Sequence, residues 1–302
     1  MTTKTDDHHP KGLTAITTAA LAAACWALAA APSEATPDLR SSAVDSPVAA
    51  SGWLDPEGRP LPLSEEEVLD FLRTAEVVSS RELSEGINRS LKVTLEKGGL
   101  RVHAVFRTVD DERRDGRRRF GGFRDHYVYE VAAYELSREL GLDNVPPAVL
   151  RTLDGRRGSL QLWIEQASSE NHRIRGGARV SRPASWARQR HLMWVFDNLI
   201  YNFDRNPGNI LIDASGKMWL IDHTRSFKRL PSLLSEDRIV VCDRRLWERL
   251  RTLDRADVRR RLSSFLDALE LRSLLARHKK LVAHIARMIA ERGEDKVLIG
   301  RG

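Results

Sequence analysis

Apolar positions along this chain change their spacing several times, and each change marks a different kind of element. Residues 13–31 are an uncharged, alanine-dominated run with no polar face. Residues 32–62 are rich in Pro, Ala and Ser and follow neither a helical nor a strand period, which predicts a linker. Ser64-Glu65-Glu66-Glu67 then reads as a capping box, and Val68, Phe71, Leu72 and Ala75 line one side of the helix it opens. From there the period shortens to two. Leu91, Val93 and Leu95 alternate with polar residues, Lys97-Gly98-Gly99 is a turn signal, and Val102, Ala104 and Phe106 continue the alternation, so residues 89–109 read as a hairpin.

A basic loop, Asp110 to Asp125, follows. His126 to Leu140 returns to helical spacing and stops at Gly141, a C-cap residue. Ala148 to Leu153 and Ser159 to Ile164 read as strands on either side of the Asp154-Gly155 turn. From Ser185 the chain becomes helical. Leu192, Val195, Phe196, Leu199 and Ile200 form an apolar face that ends near Asn202. A short hairpin comes next: Asn209 to Ile212, a turn at Asp213 to Gly216, then Met218 to Ile221. Leucines three and four apart make the stretch from Leu246 to Glu294 helical. The fold class is therefore α+β: a small α+β lobe over 64–166, then a mainly helical lobe over 167–302.

The first 31 residues have the layout of a secretory signal peptide, with Lys4 and Lys11 ahead of the apolar run and small-residue cleavage patterns at Ala27-Leu28-Ala29 and Ser33-Glu34-Ala35. A weak membrane anchor is the alternative. Either reading predicts an exported, periplasmic or envelope protein. Two cysteines, Cys25 and Cys242, exclude a disulfide framework or a cysteine-based zinc site.

The 302 residues carry a formal charge of +7, and arginine outnumbers lysine 40 to 9. This balance admits phosphate-bearing partners. Arg113, Arg114, Arg117, Arg118, Arg119 and Arg124 concentrate in the basic loop, which reads as a solvated loop or a dock for an anionic substrate. Only Phe120 and Phe123 interleave with these charges, so nucleic-acid binding is not expected.

The candidate chemistry lies in Asn202-Phe203-Asp204-Arg205-Asn206-Pro207-Gly208-Asn209 and in Asp222, thirteen residues past Asn209. A helix end, a loop and a tight hairpin return Asp222 to the neighbourhood of Asp204 and Asn209. One carboxylate to accept a hydroxyl proton, with a carboxylate and a carboxamide as hard oxygen ligands, suits phosphoryl transfer with Mg²⁺. The same five-residue step separates the catalytic Asp from the metal-binding Asn in protein kinases.

The run Asp204-Arg205-Asn206-Pro207-Gly208-Asn209-Ile210-Leu211, with Ile221-Asp222-His223, resembles the D-R-x-x-x-N and I-D motifs of atypical kinases. These include the phosphatidylinositol 3/4-kinase-like, HipA-like and Golgi secretory-kinase groups. The resemblance extends over about residues 64–295 and implies a bilobal protein-kinase-like fold. Glu130-Val131-Ala132-Ala133-Tyr134 looks like the helix with the ion-pairing glutamate, Leu160 to Glu165 like the segment entering the interlobe hinge, and Gly86-Ile87-Asn88-Arg89 like the loop over the phosphates. The family's phosphate-binding lysine is replaced by Arg107, in Ala104-Val105-Phe106-Arg107; Lys92 on the neighbouring strand is a second candidate for that role.

The resemblance thus implies Asp204 as the catalytic base and Asn209 and Asp222 as metal ligands. Arg107, Glu130, Gly86 and Glu165 are implied at the nucleotide, with ATP and Mg²⁺ or Mn²⁺ as cofactors. Arg205 is expected to hold the loop and His223 to support it. The expected activity is transfer of the γ-phosphate to a hydroxyl on a protein, lipid or small molecule. An exported pseudokinase that binds nucleotide or acts as a scaffold, and a nucleotidyl transferase on the same fold, are the alternatives.

Overall fold

Residues 53–83, 90–113, 123–179 and 183–300 are described by the computed structural model. The leader, Gly86 and arginines 114, 117, 118 and 119 lie outside them. The expected linker ends earlier than its composition suggests, because residues 53–63 are folded. Asp55 gathers the backbone N–H groups of Glu57 and Arg59 into a turn, and Leu61 is buried.

Ser64 caps the first helix, α1 (Glu65–Thr74), and Glu67 bonds back to the Ser64 N–H, which closes the capping box. Such a cap stabilises a helix by about 1 kcal/mol. The helix buries Val68, Leu69, Phe71 and Leu72. Five strands follow in one antiparallel sheet: β1 (Glu76–Glu82), β2 (Leu91–Lys97), β3 (Leu100–Arg107), β6 (Ala148–Leu153) and β7 (Arg156–Leu162), in the order β1-β2-β3-β7-β6. Sequence reading missed β1, whose residues are almost all exposed at the sheet edge. It also starts β7 three residues later than the structure does. The basic loop is partly a hairpin, since β4 (Asp110–Arg113) pairs with β5 (Phe123–His126). The helix α2 (Val128–Glu139) follows, and Gly141 turns the chain at φ 66°.

Alternation gives the sheet two faces. Val93, Leu95, Val102, Ala104, Phe106, Leu160 and Leu162 are buried on one. Pairing of Lys92 with Val105 and of Val105 with Gln161 places Lys92, His103, Val105, Arg107 and Gln161 on the other. At Gly158 the strands approach so closely that a Cβ would lie 2.3 Å from the Arg107 carbonyl oxygen and 2.6 Å from the Phe106 ring.

After the sheet come β8 (Ser168–Ser169) and α3 (Glu170–Arg175), neither anticipated from the pattern. Next come α4 (Pro183–Ile200) and the hairpin of β9 (Ile210–Ile212) and β10 (Met218–Leu220). After a largely irregular segment, β11 (Cys242–Asp243) leads into α5 (Arg244–Thr252), α6 (Arg255–Leu262) and α7 (Ala268–Arg292). The short α8 (Glu294–Val297) and β12 (Leu298–Ile299) close the chain, with β12 parallel to β11. One continuous apolar core runs from Leu61 to Leu298. Cys242 is buried as a free thiol, and burial pushes its pKa up, away from reactivity.

Arg277 is fully buried on α7. It donates to the carbonyls of Leu199, Lys228 and Leu230, and so ties the end of α4 to the irregular segment after β10. Burial lowers its pKa to about 9. Among the described residues, no helix is long and apolar enough to cross a membrane.

Candidate active site

The loop between α4 and β9 is built around Arg205. Its Nε and Nη2 donate to the two oxygens of Asp197 on α4, at 3.0 and 3.1 Å. Its Nη1 donates to the carbonyls of Asn209 (2.6 Å) and Ile221 (2.8 Å), and its Nη2 to His223 Nε2 (3.0 Å). A planar guanidinium with five donors is suited to such a hub. It joins the helix, the start of β9 and the residues after β10, the role expected of Arg205 from its position beside Asp204.

Three asparagines shape the same loop. Asn202 accepts the Asp204 N–H and donates to Asp197, Asn206 caps the turn at Gly208, and Asn209 Nδ2 donates to the Asp204 carbonyl at 3.1 Å. The Ile221 N–H donates to the Asn209 carbonyl at 3.2 Å, which brings the residue before Asp222 alongside the loop. Asp204, Asn209 and Asp222 are thereby gathered as the hairpin argument anticipated. Asp222 itself lies in the left-handed region, φ 57°, and Thr224 Oγ1 donates to its Oδ1. Strain of this kind at a polar loop residue costs about 1–3 kcal/mol and concentrates at functional sites.

Burial pushes the Asp204 carboxyl above the ordinary aspartate value. The charges of Asp222 and Asp125 act in the same direction, and Arg225 opposes them. Arg225 Nη1 donates to Asp204 Oδ2 at 3.1 Å, and its Nε to Asp125 Oδ2 at 2.8 Å. Sequence reading missed Arg225; its only signal was a position three residues beyond Asp222.

The donor set fits a hard cation that also binds phosphate. The hydrogen bonds of Asn209 and Asp222 leave the carboxamide oxygen of the first and Oδ2 of the second without a partner among the described residues. No group of three His, Cys, Asp or Glu side chains there would hold a metal unaided. One carboxylate and one amide oxygen, completed by waters and phosphate oxygens, is the Mg²⁺ pattern.

Arg107, at the end of β3, lies 3.8 Å from Glu130 on α2, and both are buried. Gln161 bridges them. It accepts from Arg107 and donates to Glu130, each at 3.3 Å. The His223 N–H donates to Glu130 Oε1 at 2.9 Å, and His223 Nδ1 lies 3.1 Å from Oε2. Because a guanidinium only donates, His223 Nε2 must accept from Arg205, and the Nδ1 proton therefore faces Glu130. Burial alone would raise the Glu130 pKa; Arg107 and the hydrogen bonds from His223 overcome it and hold the group at about 2.

Lys92 does not join this group. Its Nζ sits 4.1 Å from the centre of the Trp163 ring, and burial lowers its pKa. Glu165 Oε1 lies 2.6 Å from His103 Nδ1. Gly86 lies outside the described residues.

These elements give the chain an atypical kinase-like fold: a sheet lobe and a helical lobe, with the motif loop and the glutamate-bearing helix meeting at His223. A family model for phosphatidylinositol 3- and 4-kinase matches residues 151–238, a span that includes Asp204, Asn209 and Asp222. Among solved structures, hydra Fam20 with sugar superposes with a TM-score of 0.58 at 17% identity, over 78% of this chain and 91% of that one. The Golgi casein kinase superposes with a TM-score of 0.58 at 17% identity, over 78% and 79% of the two chains. A further structure of the latter holds Mn and ADP. Protein Rv2133c of Mycobacterium tuberculosis is 30% identical over 156 residues, 41% of this chain. The chain spans about half, 54%, of that relative's length. The family match falls on the motif loop and hairpin, and the superpositions show a kinase-like fold.

Proposed function

We propose that the protein is an ATP- and metal-dependent phosphotransferase acting on a hydroxyl acceptor. The observation that carries this reading is the convergence of Asp204, Asn209 and Asp222 on one loop and hairpin, joined through Arg205 and His223 to the buried Glu130–Arg107 pair. Asn209 and Asp222 would hold the divalent cation, which would neutralise charge on the phosphates. Arg107, oriented by Glu130 and Gln161, contacts the phosphates. Asp204 accepts the acceptor's hydroxyl proton. The hydroxyl oxygen forms a new bond to the γ-phosphorus as the bond to the bridging oxygen breaks, and ADP leaves with the electron pair.

Residues 64–166 and 167–302 are the two lobes in this reading, and the nucleotide lies between them. The leader directs the protein out of the cytoplasm, in keeping with a fold shared with a Golgi kinase. The acceptor is a protein, lipid or small molecule.

Thermal unfolding with Mg²⁺ or Mn²⁺ and ATP, together with ADP release, tests the proposal. Nucleotide at 100 times its Kd stabilises the folded state by about 2.7 kcal/mol. Asp204→Asn keeps that stabilisation and loses turnover by about 10²-fold or more. Asp222→Ala loses turnover and the metal-dependent part of the stabilisation; a folded Asp222→Ala with unchanged turnover refutes the assignment. Stabilisation without phosphate transfer indicates a nucleotide-binding pseudokinase. No stabilisation at all indicates a scaffold.

A further inference from the structure

Three consecutive residues after Asp222 are tied one by one to the entrance of α2. His223 bonds to Glu130 through both its backbone and its ring. The Thr224 carbonyl accepts the His126 N–H at 2.8 Å. Arg225 Nε donates to Asp125 Oδ2, the neighbouring residue on β5. The same guanidinium reaches Asp204 Oδ2 through Nη1 at 3.1 Å. Asp125 is itself buried, so the far end of this bridge is anchored in the fold. Arg225 therefore stands between a fixed carboxylate and the one on the motif loop, and holds the second by a single oxygen.

We infer that Arg225 is a positioning residue for phosphoryl transfer. It fixes the rotamer of Asp204 by gripping Oδ2, which leaves Oδ1 to meet the acceptor hydroxyl, and Asp125 fixes Arg225 in turn. The inference rests on the reading of Asp204 as the proton acceptor. The geometry requires a fork, because Nε and Nη1 serve two carboxylates at once. A lysine ammonium on a flexible stem keeps the charge without that directionality. Misplacing a reacting group by about 1 Å can cost about 10²-fold in rate.

The test uses the full chain with Mg²⁺ and ATP, reading ADP release with water as acceptor, and nucleotide affinity from thermal shift with ADP and Mn²⁺. Arg225→Ala lowers kcat by about 10²-fold while the nucleotide affinity stays within about twofold. Guanidinium ion added to Arg225→Ala restores part of kcat, a rescue that a purely structural defect does not show. Arg225→Lys stays below about a tenth of the wild-type kcat. Asp125→Asn falls in between, and the double variant is no slower than Arg225→Ala alone, since both act through one bridge. If Arg225→Ala does not fold, Arg225→Lys and Asp125→Asn carry the test. A wild-type kcat in Arg225→Lys, or additive losses in the double variant, overturns the inference while Asp204→Asn remains inactive. A wild type that neither binds nor turns over ATP overturns the proposed function, and this inference with it.

Discussion

Glu130→Gln isolates the charge at the junction of the two lobes. Glu130 is wholly buried and accepts hydrogen bonds from the His223 N–H, the His223 ring and Gln161, with Arg107 at 3.8 Å. Glutamine keeps the shape and one acceptor oxygen, which can still take the His223 N–H. It turns an NH₂ toward the ring donor and leaves the Arg107 guanidinium without its counter-charge. Breaking a buried ion pair on one side costs about 3–5 kcal/mol. The long Arg107–Glu130 separation and the retained acceptor place this case at the lower end. The Glu130 pKa on folding moves in the matching direction, down to about 2, as expected of a carboxylate held ionised by its partners.

Because the folded-state pKa is depressed, this stabilisation is fully present above pH 4.5 and is lost as the pH falls toward 2. Differential scanning calorimetry at pH 7 should show Glu130→Gln melting about 6–12 °C below the wild type, at about 2–4 °C per kcal/mol for a domain of this size. Urea unfolding of both proteins from pH 7 to pH 3 should show the gap between them shrinking by about half at the acid end. Comparing the two proteins cancels the other carboxylates. A loss under about 2 °C, or a gap that does not change with pH, would show that Glu130 is not held ionised by its partners.

Two further substitutions probe the frame around the site. Arg277→Ala removes a donor to the carbonyls of Leu199, Lys228 and Leu230 and opens a cavity in a filled core; urea unfolding should show a loss of about 3–5 kcal/mol, and a loss below about 1 kcal/mol would mean that the segment after β10 is held by other contacts. Gly158→Ala drives a methyl to 2.3 Å from the Arg107 carbonyl oxygen; the strands must part, at about 1–3 kcal/mol, and ADP–Mn²⁺ affinity should fall because Arg107 moves with its backbone, whereas unchanged stability and affinity would contradict the tight approach of β3 and β7.

Short-range chemistry was the legible part of this sequence. The Ser64 capping box, the Gly98-Gly99 turn with φ 59° and 76°, and the Asp154-Gly155 turn with φ 49° and 73° are each decided by two to four neighbouring residues. The hairpin that returns Asp222 to Asn209 was legible for the same reason. What was missed depends on distant partners. The residues of β1 show no buried alternation, since the strand forms only because β2 offers its edge. The strands β4 and β5 are mostly charged and pair across nine residues outside the described structure. Arg225 meets Asp125 100 positions away, and His223 meets Glu130 93 positions away. Arg277 left a trace, falling between Leu274 and Leu281 on the buried stripe of α7, where helical spacing leads one to expect an apolar residue.

The arginine at position 107 looks, in sequence, like a weakened copy of a lysine. Its surroundings suggest a different division of labour. A lysine has three donors to share between the helix glutamate and the phosphates, whereas an arginine has five. Here Arg107 commits Nη1 to Gln161 and approaches Glu130 only to 3.8 Å. Glu130 instead draws its close hydrogen bonds from His223, which is held by Arg205, which is held by Asp197. The chain of contacts runs from Asp197 through Arg205 and His223 to Glu130 and then Arg107. The glutamate is oriented from the motif loop, so the cation on β3 does not have to orient it. In the proposed reading, that leaves the remaining Arg107 donors for a phosphate, so a residue with a broad planar head can stand where a point charge on a flexible stem is expected.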